Sequence, residues 1–112
     1  MSTSFRASPD VIIRTGKFRE ARQFYASVLG LPVKSDGESI VGFDAGSFVL
    51  YVEKGPEHGP VFDFLVADMP AARKALTSAG CTIVEENPAV PRCYLRDPYG
   101  LVFNIEQSRA GT

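Results

Sequence analysis

One order of elements runs twice along this chain, and that repetition narrows the choice of fold more than any single motif. Val11-Ile12-Ile13 opens an extended run. Phe18, Ala21, Phe24, Tyr25 and Val28 then fall at helical spacing until Gly30, a residue suited to the left-handed turn that closes helices. Pro32 to Lys34, Ile40 to Phe43 and Ser47 to Glu53 read as strands, the last two joined through Asp44-Ala45-Gly46. The order then recurs. Val61 to Val66 reads as a strand, and Asp68-Met69-Pro70 supplies an N-cap and an early proline for a helix reaching Ala79, closed by Gly80. Thr82 to Glu85, Arg92 to Arg96 and Leu101 to Glu106 follow as strands, the last after the turn Asp97-Pro98-Tyr99-Gly100. Side chains repeat as well as elements. Ala21-Arg22 returns as Ala72-Arg73, Tyr25 aligns with Leu76, and Ser27 with Ser78, all at one constant offset.

Two βαβββ repeats, about 9–55 and 60–107, therefore make up one α+β domain over 9–107, with Pro56 to Pro60 as the linker. Neither half can bury enough core alone. The expected architecture is a curled mixed sheet around a cleft, built from two half-sheets with their helices on the outside. Residues 1–8 and 108–112 are small, polar and unpatterned, so flexible ends are expected there. A chain of 112 residues buries only about two-thirds of the surface its unfolded form exposes, so a second copy would help, and a homodimer is expected.

Charge and composition exclude several classes of function. Twelve Lys and Arg against 13 Asp and Glu leave a net charge of −1, with no basic stripe able to track phosphates, so no nucleic-acid partner is expected. Apolar runs fall far short of the roughly 20 residues that span a bilayer, and Met1 to Arg6 has no apolar export segment. A cytoplasmic location without membrane contact is the expectation. Cys81 and Cys93 fit neither a metal-binding spacing nor a disulfide framework, and read as reduced, structural thiols. No nucleophile elbow, phosphate loop or Ser/His/Asp set is present.

Strand alternation proposes a lining for the cleft. Asp10, Ile12 and Arg14 share one face, as do Phe48, Leu50 and Val52, then Val61, Asp63 and Leu65, and finally Val102, Asn104 and Glu106. An apolar surface with a few charges suits a small organic molecule. Phe48 offers a stacking face, and Arg14, Asp63, Asn104 and Glu106 could fix orientation; these four could equally pair among themselves. Tyr94 and Tyr99 are candidates for the rim.

Gln23-Phe24-Tyr25, the run Val28-Leu29-Gly30-Leu31-Pro32-Val33 and Asp97-Pro98-Tyr99-Gly100 together resemble the vicinal oxygen chelate superfamily over almost the whole domain. That superfamily includes glyoxalase I, extradiol dioxygenases, fosfomycin-resistance transferases and bleomycin-resistance binding proteins. The motifs are structural: Phe24 and Tyr25 pin the helix to its sheet, Gly30 caps it, and Asp97 to Gly100 makes a turn. In catalytic members a divalent metal is held by one residue from the first and one from the last strand of each repeat. Counting from the shared motifs, the resemblance puts those positions at Asp10, Leu50, Val61 and Asn104. Leu50 and Val61 have no lone pair to give, and Asn104 is a weak neutral donor. The resemblance therefore implies a metal-independent small-molecule binder of the bleomycin-resistance type, with ligand contacts from Arg14, Phe48, Leu50, Val61, Asp63, Asn104 and Glu106 and no cofactor. Two alternatives stay open. One is a glyoxalase-like lyase or dioxygenase with one divalent metal ion on an atypical set, Asp10, His58 and Glu106, although His58 reads as a solvated linker residue. The other is a silent dimeric interaction module whose cleft is filled by Phe48 and Phe103.

Overall fold

A computed structural model describes residues 4–90 and 92–108. Parts of the two expected flexible ends, 1–3 and 109–112, lie outside the described residues. In chain order the elements are β1 (Phe5–Thr15), α1 (Phe18–Gln23) running into a π-helical turn (Phe24–Val28), β2 (Val33–Asp36), β3 (Ile40–Asp44) and β4 (Val49–Lys54). Then come β5 (His58–Val66), α2 (Met69–Ser78), β6 (Thr82–Asn87), β7 (Arg92–Arg96) and β8 (Val102–Gln107). The fold is α+β, and the order βαβββ occurs twice, as the internal repeat predicts. By their contacts the residues form two compact units, Pro9–Val61 and Phe62–Thr112 with Met1–Ser8.

In the first unit the strands lie in the order β2-β3-β4-β1. β3 is antiparallel to both neighbours, while β1 and β4 run parallel because α1 and two further strands separate them in sequence. Phe18 opens α1 and is buried against Val41, Phe43, Leu50 and Val52, with Ile13, Ala21, Tyr25 and Leu31 packed around them. Gly30 takes a φ of 68°, the left-handed conformation expected where the helix ends. Tyr25 leans on the Phe43 ring at 6.0 Å and does pin the helical segment. Phe24 does not: at 46% exposure it is turned outward, meeting Tyr25 only edge-on. The switch from α to π winding at Phe24 changes the periodicity on which the sequence expectation relied.

The second unit repeats the plan with the order β5-β8-β7-β6, one parallel pair (β5 with β8) and two antiparallel pairs. The Asp68 carboxylate accepts from the Ala71 N–H at 3.0 Å and caps α2, and Pro70 stands in the first turn, where its missing N–H costs nothing. Ala72 of α2 packs on Val66, Cys93, Leu95 and Ile105, flanked by Leu76, Phe64 and Phe103. Phe64 and Phe103 meet edge-to-face at 5.4 Å. Phe103 is therefore a core residue under α2, which corrects the reading in which it fills a cleft.

Three boundaries also differ from expectation. β1 begins at Phe5, so Phe5 to Ser8 are strand rather than a flexible end. β4 begins at Val49, leaving Phe48 in the preceding turn, where its carbonyl accepts from the Ala45 N–H at 2.9 Å. β5 begins at His58, inside the segment expected to be a linker.

Both cysteines are free thiols, as expected. Burial pushes the Cys93 thiol up from its ordinary range, opposed by the Arg73 guanidinium 3.7 Å from its sulfur. Burial and the nearby Asp97 carboxylate push Cys81 up in the same direction. A thiol that holds its proton longer offers little nucleophilic thiolate. In native protein at pH 8, Cys93 should react with Ellman's reagent roughly a hundredfold more slowly than in denaturant, since labelling first needs a local opening. Both folded values are raised, so this contribution to stability is complete below the ordinary thiol range and is lost as pH rises through the folded values. A Cys93→Ala variant should therefore show a flatter alkaline limb in its stability profile.

Candidate functional site

The register of β1 with β4 decides which side chains share a face in the first unit. Val11 pairs with Leu50 and Ile13 with Val52, and Ile13, Leu50 and Val52 all pack beneath α1. The opposite face carries Asp10 beside Val49, Ile12 beside Tyr51 and Arg14 beside Glu53. Leu50, expected on the ligand-binding face, is instead core, 9% exposed. On Asp10's face β4 presents Val49, Tyr51 and Glu53 and not Leu50: a slip of one residue moves every side chain of a strand to its other side. Arg14 Nε stands 3.5 Å from Glu53 Oε1, an ion pair with a residue absent from the expected set. Phe48 sits in its turn at 39% exposure rather than on a strand face.

Tyr51 lies across Gly42. A Cβ on Gly42 would stand 2.8 Å from the Tyr51 ring and 2.7 Å from Ser35 Oγ. Gly42→Ala should accordingly cost about 1–3 kcal/mol in a urea melt, the usual effect of overpacking.

In the second unit the side chains opposite α2 form a polar row. Asp63 pairs in register with Asn104, Asn104 with Tyr94, and Tyr94 with Glu85, so one residue from each of the four strands lines up. Asp63 and Asn104 are only 3% and 6% exposed. Asn104 Nδ2 donates to Asp63 Oδ1 at 2.8 Å, while Asn104 Oδ1 accepts from the Cys93 backbone N–H, also at 2.8 Å. A buried carboxylate is tolerable only with such donors. At the end of the row, Arg92 Nη1 donates to Glu85 Oε2 at 3.1 Å, and the guanidinium lies 4.9 Å from the centre of the Tyr94 ring. Glu106 follows on the same strand face, beside Leu65.

Of the expected site residues, the fold brings Asp63 and Asn104 into direct contact and sets Glu106 two positions along the same face. Val61 is buried, 1% exposed. Arg92, Glu85, Tyr51 and Glu53 were not foreseen. The alternation Arg92-x-Tyr94 placed two ring- and charge-bearing groups on one face and was the available signal for the first of these. Tyr94, expected at a rim, is 2% exposed, whereas Tyr99 is 93% exposed.

The family's metal positions do not supply a donor set. Val61 and Leu50 have none to give, Tyr51 replaces Leu50 only by a neutral phenol, and both polar atoms of Asn104 already serve protein partners. Among the described residues, no three His, Cys, Asp or Glu side chains converge as an ion would require.

A family described as a glyoxalase-like domain matches residues 10–106. Among solved structures, a glyoxalase/bleomycin resistance protein/dioxygenase superfamily member from Vibrio splendidus is similar at 16% identity with a TM-score of 0.68, over 94% of this chain and 100% of that one. The Mn(II)-bound glyoxalase from Novosphingobium aromaticivorans matches at 19% identity and TM-score 0.68, over 95% of this chain but 40% of its own length. Homoprotocatechuate 2,3-dioxygenase from Brevibacterium fuscum matches at 19% and 0.68, over 92% of this chain and 36% of its own. At these identities the likeness is one of fold. Among curated proteins no relative matches the chain.

Proposed function

This chain belongs to the glyoxalase-like domain family, and on that premise we propose that it binds a small organic molecule, without a metal ion, on the sheet face opposite α2. One observation carries the reading: the row Asp63–Asn104–Tyr94–Glu85 with Arg92 stacked on Tyr94, which joins a buried hydrogen-bonded pair to a cation and a ring. The row is buried at Asp63, Asn104 and Tyr94 and opens to solvent at Arg92 and Glu85, so a ligand would meet polar groups that the buried part holds in place. Arg92, held over the Tyr94 ring, recognises a planar or carboxylate-bearing group, and Glu106 a cationic one. In this reading the chain acts as bleomycin-resistance proteins do, sequestering its ligand rather than transforming it. The reading includes a homodimer in the cytoplasm; sedimentation velocity tests the first of these. Among the described residues no helix is long and apolar enough to cross a membrane.

A thermal-shift screen with aromatic antibiotics and metabolites tests binding directly. A hit should raise Tm in a saturable way. Arg92→Ala should weaken that hit about tenfold or more, by loss of a charge-assisted contact and a cation–π face, while leaving the melting temperature of the free protein within a few degrees. A hit whose affinity is the same in Arg92→Ala and in Glu106→Gln would place binding elsewhere and overturn the assignment.

A further inference from the structure

Within the Pro9–Val61 unit lies a cavity of about 270 Å³ that the reading above leaves unused, lined by Ile13, Arg14, Thr15, Ala21, Tyr25, Glu57, His58 and Gly59. It forms where Thr15 closes β1 of the parallel β1–β4 pair, and carboxyl ends of parallel strands are where crevices open in α/β sheets. The π-helical turn supplies Tyr25, and such widened turns recur at binding sites. The only histidine of the chain is not in a solvated linker, as the sequence suggested, but starts β5 half-buried with Nδ1 shielded from solvent.

The chemistry of this lining is one-sided. The guanidinium of Arg14, the imidazole of His58 and the hydroxyls of Thr15 and Tyr25 are all able to donate. Thr15 Oγ1 accepts from the Lys17 N–H at 3.0 Å, so its own hydrogen points elsewhere. Glu57 is the one carboxylate of the lining, exposed at the edge, and Glu53 pairs with Arg14 from outside it at 3.5 Å through Nε, one of several N–H donors of the guanidinium. Ile13 and Ala21 add an apolar wall. We propose that this cavity is a second binding site, for a small carboxylate with a compact apolar tail. The carboxylate meets the donors and the tail lies against Ile13 and Ala21.

A single histidine makes the test direct, because its Hε1 resonance is unique in a proton NMR spectrum. The probes are sodium benzoate and sodium butyrate, titrated at constant pH and ionic strength, with sodium chloride as the control. The proposal expects a saturable shift of this resonance with a Kd on the order of 1 mM, as suits ligands of so few atoms, and only a small linear drift with chloride. Tyr25→Phe and Thr15→Val keep shape, the second giving up only the exposed bond from the Lys17 N–H, and each should raise that Kd about fivefold. Arg92→Ala, which lies in the row proposed for the main ligand, should leave it unchanged, so the two readings fail separately. A response equal to that of chloride, or a Kd unmoved by both Tyr25→Phe and Thr15→Val, overturns the second site.

Discussion

Asn104→Ala should lower the stability of this protein by about 3–5 kcal/mol, the largest effect expected of any polar substitution in it. The alanine removes the donor held 2.8 Å from the Asp63 carboxylate and the acceptor of the Cys93 N–H in one step. Asp63 is only 3% exposed, so water cannot take over, and a buried charge deprived of its partner carries a cost of that size. The stranded amide of Cys93 adds a smaller one. Against a total of about 5–15 kcal/mol for a domain, the variant should melt roughly 15 °C or more below the parent. Asp63→Leu combined with Asn104→Leu removes both partners and should recover a large part of the loss, leaving mainly the amide unsatisfied. Urea melts of the single and double variants measure the coupling. If Asn104→Ala cost less than about 1 kcal/mol, the pair would be a surface contact and not the buried hinge of the polar row.

The second large effect separates two neighbouring residues that sequence alternation put on one face. Leu50→Ala should cost about 2–5 kcal/mol, because Leu50 packs among Phe18, Val41, Phe43 and Val52 beneath α1 and its removal leaves a cavity there. Phe48→Ala, in the exposed turn before β4, should cost under about 1 kcal/mol. Ligand affinity in the screen above should follow neither substitution once Leu50→Ala is assayed well below its melting temperature. Equal, small effects from both would return Leu50 to the binding face.

That contrast shows where the sequence was legible. Features set by local chemistry read directly. The Asp68 cap and the proline of α2 came out as expected, as did the turn in which the Asp97 carboxylate accepts from the Tyr99 and Leu101 N–H groups. The repeat itself was legible because two similar units each need the same helix-on-sheet burial. The face of β4 was not. Val49, Leu50, Tyr51 and Val52 are apolar or aromatic in succession, so alternation cannot choose which side meets α1; that depends on how many residues the preceding turn takes. The row in the second unit was half legible. Asp63 and Asn104 stood out as polar residues on strands, but Glu85 reaches Arg92 and Tyr94 only because β6 slips its register between Ile83 and Glu85, which no spacing rule reveals. His58 misled because the flanking Pro and Gly read as a strand-breaking linker, whereas β5 starts at this residue and includes Gly59 and Pro60.

The proposed site is a face whose polar groups serve one another and an organic ligand, not an ion. Elemental analysis of protein purified without a histidine tag, followed by thermal-shift titration with Zn, Ni, Mn and Fe(II), tests that most directly. Metal far below one equivalent and no saturable rise in Tm with any of the four are the expected results. One equivalent of metal per chain, or a rise that saturates with a single ion, would contradict the assignment.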